Sequence, residues 1–293
     1  MSLRHLSIAV AALILVSTSA FAAPLRIGVF ADIHAHDTNS PTVHKVMTDY
    51  EPRLAAFVDA MNAWPADAVF ELGDLVNGAF VMGAPLGDPS RIAGILTSVV
   101  ATMARFEGPK SFVLGNHDVY DLSKAEFLAA VGAPSTRWSF DLGGYHMVGL
   151  DEEFAKNGEP YGHSFWVVPG TVPPDELTWL RGELAATTLP TLVFVHQPLD
   201  VDFEMEAGGP SVTNHIEVRG ILAQSHRVIA VFQGHSHENH VSILDGIHYI
   251  TFAAMVDRDE PTPPSWAAVT LDPDSRTVRI DGKGLQDDIE FSY

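Results

Sequence analysis

Five short apolar runs punctuate the chain, and each gives way at its C-terminal side to polar residues. LRIGVFADIH closes on Asp32 and His34, AVFELGD on Asp74, and SFVLGNHD on Asn116, His117 and Asp118. TLVFVHQP closes on His196, and RVIAVFQGHSH closes on His235 and His237. Apolar runs of about four to eight residues rich in Val, Phe and Ile fit strands covered on both faces, the texture of central strands in an α/β sheet. In open α/β sheets, ligands bind in the crevice beyond the strand C-termini. Five strands are therefore expected to aim their polar ends into one place.

Helical periodicity fills the intervals. Leu54, Phe57, Val58 and Met61 share one face over residues 53–64. Ser123 with Glu126 forms a capping-box pattern ahead of FLAAV, with Gly132 placed to end that helix, and Asn214 with Glu217 repeats the device ahead of Ile221 and Leu222. PPDELTWLRGEL starts at Pro173, and its prolines suit a first turn ahead of the Leu177, Leu180 and Leu184 stripe. After His240 the texture changes to alternation with turns, in VSILDGIHYITFAA and in WAAVTLDPDSRTVRIDG. The Asp272–Ser275 segment is a turn signal between two strands. Such hairpins are expected to form a second sheet stacked on the first. With neither repeats nor a long Gly, Ser or Pro-rich linker, residues 23–293 are expected to form a single domain.

Composition narrows the function. Of 293 residues 46% are hydrophobic and 18% charged, so burial can offset the entropy of ordering the chain. The formal net charge of -20 disfavours nucleic acid and anionic membrane surfaces as partners. An anionic substrate then needs a local cation. MSLRHLSIAVAALILVSTSAFAA has a basic start at Arg4, an apolar stretch from Leu6 to Val16, and small residues ending in Ala20-Phe21-Ala22. This is the pattern of a secretory signal peptide over residues 1–22, cleaved near Ala22, with the product periplasmic or secreted and not stably membrane-bound afterwards. The stretch is shorter than the roughly 20 residues of a membrane span. There is no cysteine, so metal ligands must be His, Asp, Glu or Asn.

Taken singly, Asp32 and Asp74 read as helix caps, Asn116 as a turn residue and His196 as a buried histidine. In chain order the strand ends spell D-x-H, G-D, G-N-H-D, H and G-H-x-H, and that five-block series resembles the calcineurin-like metallophosphoesterase family. The resemblance implies an α/β fold of four layers, α-β-β-α, with two stacked mixed β-sheets flanked by helices. It also implies a two-metal site. Asp32, His34 and His237 would hold one ion, Asn116, His196 and His235 the other, and Asp74 would bridge them by offering both oxygens. Such a mixed N and O set suits Mn, Fe or Zn better than Mg or Ca. Paired metals acidify a shared water and neutralise phosphate oxygens during in-line attack, which answers the charge problem of an acidic protein with an anionic substrate. His117 would protonate the leaving oxygen, and Asp118 would orient His117.

The substrate expected is a small phosphoester: a phosphodiester or pyrophosphate of nucleotide type, with a phosphomonoester or a non-catalytic metal-dependent binding role as alternatives. Loops at residues 77–90, 151–173 and 198–213 are where selectivity should sit. His36, His163 and His240 lie near the expected site, and His36, Tyr161 and His163 are candidate substrate contacts. Phe154, Tyr161, Phe165 and Trp166 either stack on a base or pack their loop onto the body. The layout of the second half is similar to the ADP-ribose/CDP-alcohol diphosphatases and resembles the cyclic nucleotide phosphodiesterases as well. His34 stands where the diphosphatase group carries glutamine. The oligomeric state is open.

Overall fold

The computed structural model describes residues 23–39, 45–78, 89–164, 169–200, 212–256 and 263–293, so the signal-peptide span lies outside the described residues. In chain order the first half contains β1 (Leu25–Phe30), α1 (Tyr50–Ala63), β2 (Ala68–Glu71), α2 (Pro89–Met103), β3 (Lys110–Phe112), α3 (Asp118–Asp121), α4 (Lys124–Val131), β4 (Trp138–Leu142) and β5 (Tyr145–Gly149). The second half contains α5 (Pro174–Ala186), β6 (Thr191–Phe194), α6 (His215–Ser225), β7 (Val228–Gln233), β8 (His240–Leu244), β9 (Ile247–Thr251), β10 (Trp266–Asp272), β11 (Thr277–Lys283) and β12 (Ile289–Ser292). Two six-stranded mixed sheets form, ordered β12-β11-β10-β1-β2-β3 and β4-β5-β6-β7-β9-β8.

All five apolar runs are strands, but they do not share one sheet. β1, β2 and β3 are parallel neighbours in the first sheet, while β6 and β7 are parallel neighbours in the second. The C-terminal hairpins do not build the second sheet as expected. β8 and β9 pair with each other and extend that sheet beside β7, whereas β10, β11 and β12 extend the first sheet from β1. Hydrophobic alternation specifies which face a residue covers, and it does not specify which edge a hairpin joins.

Side-chain alternation explains the layering. Ile27 and Val29 of β1, Phe70 of β2, and Phe194 and Phe232 of the second sheet form the apolar layer between the sheets. The Phe70 and Phe194 rings stack across it with centroids 4.3 Å apart. Phe30 and Val69 point the other way, into a cluster with Leu54 and Phe57 of α1, Leu96 of α2 and Phe127 of α4. Val193 and Val231 face Leu180 and Leu184 of α5 and Leu222 of α6. Helices therefore cover both outer faces, giving the four-layer α-β-β-α sandwich.

Local chemistry sets several ends. Ser123 accepts from the Glu126 N–H while the Glu126 carboxylate accepts from Ser123 N, a complete capping box, and Gly132 ends α4 in the left-handed region at φ 71. Asn214 does not cap α6 as expected. Its amide turns back to Val172, accepting from the Val172 N–H at 3.1 Å and donating to its carbonyl at 2.8 Å. Tertiary partners here outcompete the local cap. α2 is an unpredicted helix whose signal is nonetheless present, in Ile92, Ile95, Leu96, Val99 and Met103 on one buried face.

Candidate metal centre

The tails of the strands leave their sheets together. Asp32 N donates to Gly73 O, His34 N to Asp74 O, and Gly234 N to His196 O, so the polar ends stay in register past the last strand residues. Among the non-glycine residues with positive φ are Asp32, His34, Asp74, His235 and His237, at 45–71°. Left-handed backbone costs an ordinary L-residue about 1–2 kcal/mol. Five such residues among the predicted ligands show where the fold tolerates strain, and the turns aim toward one another side chains that an extended strand would send to opposite faces. Two glycines of the motifs follow from close approach. A Cβ on Gly73 would lie 2.3 Å from the His196 ring, and one on Gly115 would lie 2.2 Å from both Asp74 N and Asp74 Oδ1.

Side chains separated by up to about two hundred positions converge in two groups. Asp32, His34 and His237 place ligand atoms within 4.8 Å of one another, as do Asp74, His196 and His235 and, overlapping both groups, His34, Asp74 and His117. His34 Nε2 lies 2.9 Å from His237 Nε2, and His235 Nδ1 lies 3.1 Å from His196 Nε2. Two nitrogens bound at about 2.1 Å to one ion and at right angles sit roughly 3 Å apart, so both spacings fit pairs of ligands on a common cation. His235 offers Nδ1 and His237 offers Nε2, which is how histidines two residues apart serve different groups. Asn116 joins the second group, its Oδ1 3.1 Å from His196 Nε2, with its amide oriented by donation to the Tyr120 hydroxyl at 3.3 Å.

Asp74 lies between the groups, and the way it does so corrects an expectation. Oδ1 accepts the His117 N–H at 2.8 Å, leaving Oδ2 to face both groups, 3.4 Å from His34 Nε2 and 3.4 Å from His196 Nε2. A single oxygen is positioned to bridge. Asp118 also differs from expectation. Its carboxylate accepts N–H bonds from Asp74, Val76 and Gly115, while His117 Nδ1 donates to the Asn77 carbonyl at 2.7 Å. Asp118 thus ties the G-D and G-N-H-D turns together, and Asn77 orients His117. A bond from His196 Nδ1 to Leu72 O, 2.7 Å, fixes the tautomer that leaves Nε2 to the site.

Electrostatics favour cations. Burial disfavours ionised carboxylates, yet His237 and His34 hold the Asp32 carboxyl below its ordinary range, and His196, His117 and His34 do the same for Asp74. Burial pushes the His34 ring down, Lys45 and His117 adding to the effect, and it pushes His235 down to about 3 with the help of His196. The neutral His34 and His235 rings beside ionised carboxylates offer the lone pairs that a transition-metal ion requires. Against burial, Asp74 and Asp32 hold the His196 ring well above its ordinary range, so that a metal there displaces a proton. His117 is pushed down to about 4 by burial, opposed by Asp74 and by the Asn77 carbonyl.

The chain's family is decided by comparison. The family model of calcineurin-like phosphoesterases matches residues 25–239. The chain belongs to that family. A probable cyclic nucleotide phosphodiesterase of Fibrobacter succinogenes is 24% identical over 247 residues, covering 80% of this chain and 82% of the relative. A dimetal phosphatase from Danio rerio has the same fold, with TM-score 0.76 at 18% identity, covering 92% of this chain and all of the other. The same fold is seen in GAP50, the anchor in the inner membrane complex of Plasmodium, with TM-score 0.56 at 12% identity over 90% and 89% of the two chains. The chain is thus a metal-dependent phosphoesterase of the calcineurin-like family, and its His and Asp residues are grouped as a dinuclear metal site requires.

The expected substrate contacts are not members of the ligand groups. The His36 ring accepts from Thr38 N at 3.1 Å, and His163 pairs with Glu126 at 2.7 Å at the start of α4. Tyr161 packs against the cluster that includes α1, the Lys124 ammonium lies 3.3 Å from the Phe154 ring centroid, and His240 lies 3.4 Å from Asp200. For Phe154 and Tyr161 the packing role holds, whereas Phe165 and Trp166 lie outside the described residues. Three further residues reach the site without a motif. Lys45 Nζ is 3.2 Å from His34 Nε2, its ammonium disfavoured by burial and held by Asp74 and Asp32. Glu152 Oε1 accepts from the N–H groups of both His196 and Gln197, at 3.0 and 2.6 Å, and Gln197 donates to Glu153. Gln197 adjoins His196 in sequence, a signal that could have found it; Lys45 and Glu152 carry none. Among the described residues no helix is long and apolar enough to cross a membrane.

Proposed function

We propose that this chain is exported and hydrolyses a phosphodiester or pyrophosphate bond of a small nucleotide-like substrate by in-line attack of water-derived hydroxide. One observation carries the reading: Asp74 Oδ2 lies between two ligand groups, 3.4 Å from His34 Nε2 of one and 3.4 Å from His196 Nε2 of the other. Asp32, His34 and His237 would hold the first ion and Asn116, His196 and His235 the second, with Asp74 between them. Mn, Fe or Zn bound there supplies a water acidified toward neutral pH and positive charge against the phosphate oxygens. His117 serves as proton donor to the leaving oxygen. With Nδ1 donating to the Asn77 carbonyl, a neutral ring has no proton on Nε2; the donor is the imidazolium, which a bound phosphate favours by adding negative charge beside a ring that burial otherwise pushes down to about 4. The name of the Fibrobacter succinogenes relative supports a nucleotide phosphodiester, and the N-terminal pattern supports export.

The test is a panel of bis(p-nitrophenyl) phosphate, p-nitrophenyl phosphate and nucleotide diesters and pyrophosphates, assayed with added Mn, Fe or Zn. Asp74→Ala and His196→Ala should abolish turnover and leave the fold intact. His117→Ala should slow esters of poor leaving groups far more than nitrophenyl esters, whose leaving group needs no proton. A fully active Asp74→Ala protein would refute the site. Metal uptake without turnover across the panel would instead show a binding protein on this scaffold, and preference for the monoester would show a phosphatase.

A further inference from the structure

Lys45 belongs to none of the five motif blocks, yet its ammonium touches the ligand set. It sits between β1 and α1, eleven residues beyond His34 in the sequence, and is partly buried with Nζ 3.2 Å from His34 Nε2. Holding a lysine there costs about 2 kcal/mol of side-chain freedom, together with part of the hydration of its head group. A fixed positive charge opposes cation binding, so metal affinity does not account for it. His34 Nε2 has one lone pair, which the first ligand group needs. The flexible four-carbon stem of lysine lets the ammonium turn from that nitrogen toward oxygens arriving beside it.

Charge counting indicates which oxygens. Asp32 and Asp74 bring two negative charges, and two divalent ions would bring four positive ones. With Lys45, and with the attacking hydroxide counted, the site then carries a net charge of about two positive. A simple phosphodiester has one negative charge, whereas a pyrophosphate or a monoester has two or more. We propose that Lys45 binds an anionic phosphate oxygen of the substrate and selects phosphoesters carrying two or more negative charges over singly charged diesters. This rests on the phosphoesterase reading and deepens it, narrowing the substrate class.

The experiment compares wild type with Lys45→Met, which keeps the stem, and Lys45→Arg, which keeps the charge, all in metal-loaded form. Inorganic phosphate binding, measured by calorimetry, should weaken about tenfold or more in Lys45→Met, as expected for loss of a charge-assisted hydrogen bond, and should largely return in Lys45→Arg. KM for p-nitrophenyl phosphate and for a nucleotide pyrophosphate should rise by a similar factor, while KM for bis(p-nitrophenyl) phosphate should change by less than about threefold. A rise for only one of the two multiply charged esters would identify the class served and uphold the proposal. Unchanged phosphate affinity in Lys45→Met, or loss of bound metal by that variant, would overturn it. If the wild type turns over nothing but binds phosphate through Lys45, the hydrolase reading fails and the anion contact stands; if it turns over esters and Lys45→Met matches it throughout, only the anion contact fails.

Discussion

Replacing Gly115 with alanine tests the construction of the centre without replacing a ligand. The added Cβ would lie 2.2 Å from both the backbone nitrogen and Oδ1 of Asp74, where ordinary contact begins at 3.4 Å. Roughly 1.2 Å must therefore be absorbed, and the neighbouring atoms are poorly placed to yield. Asp74 N is held by Asp118 Oδ2 at 3.1 Å, Asp74 Oδ1 accepts the His117 N–H at 2.8 Å, and Gly115 N is itself bound to Asp118 at 2.9 Å. The displacement passes to Asp74 Oδ2, the oxygen facing both ligand groups. A misplacement of about 1 Å in a reacting constellation costs on the order of a hundredfold in rate. Overpacking of this kind costs about 1–3 kcal/mol, within the roughly 5–15 kcal/mol stability of an ordinary domain, so the variant should fold. The assay is kcat on bis(p-nitrophenyl) phosphate, with circular-dichroism melting and metal content measured on the same samples. A folded Gly115→Ala protein with full metal content and kcat within about threefold of wild type would refute the reasoning.

Gly94 supplies the contrast: it lies inside α2 with nothing within 4 Å of an added Cβ, so Gly94→Ala should gain about 0.5–1 kcal/mol in urea unfolding and leave kcat unchanged. Glu71 is fully buried, neither carboxylate oxygen has a hydrogen-bond partner among the described residues, and burial together with Asp118 pushes its acid well above the ordinary range. The folded state keeps that proton where the unfolded chain releases it, so stability falls as pH rises from the ordinary Glu value of 4.5 toward the raised one. Glu71→Gln should flatten the fall by about 1.4 kcal/mol per pH unit, read from urea unfolding in chelator across that window; parallel wild-type and variant curves would contradict it. Ser123→Ala should lower stability by about 1 kcal/mol, because the capping box at α4 loses both of its hydroxyl bonds, and an unchanged melting temperature would count against the cap.

The parts legible in the sequence are those with short-range physical causes. The five strand ends announce themselves because an apolar run and its metal-binding residues are contiguous, and Ser123 with Glu126 and Gly132 frames α4 within ten positions. Sheet membership is not local. Nothing in Val241 or Val278 indicates that one lies in the sheet of β7 and the other in that of β1. Asn214 carries the same cap signal as Ser123 but spends its amide on Val172, forty-two residues away. Within the site, the residues that converge are readable from spacing and resemblance, whereas the turn of Asp74 Oδ2 toward both groups depends on where the His117 N–H points. Lys45 and Glu152 reach the centre only through the chain's path, and a lysine or a glutamate in a loop carries no mark of that.

The most direct test of the central claim is anomalous diffraction from crystals of the manganese-loaded protein. Two peaks should flank Asp74 Oδ2 roughly 3.5 to 4 Å apart, one among Asp32, His34 and His237 and the other among Asn116, His196 and His235. A single peak, or peaks away from Asp74, would contradict the dinuclear centre.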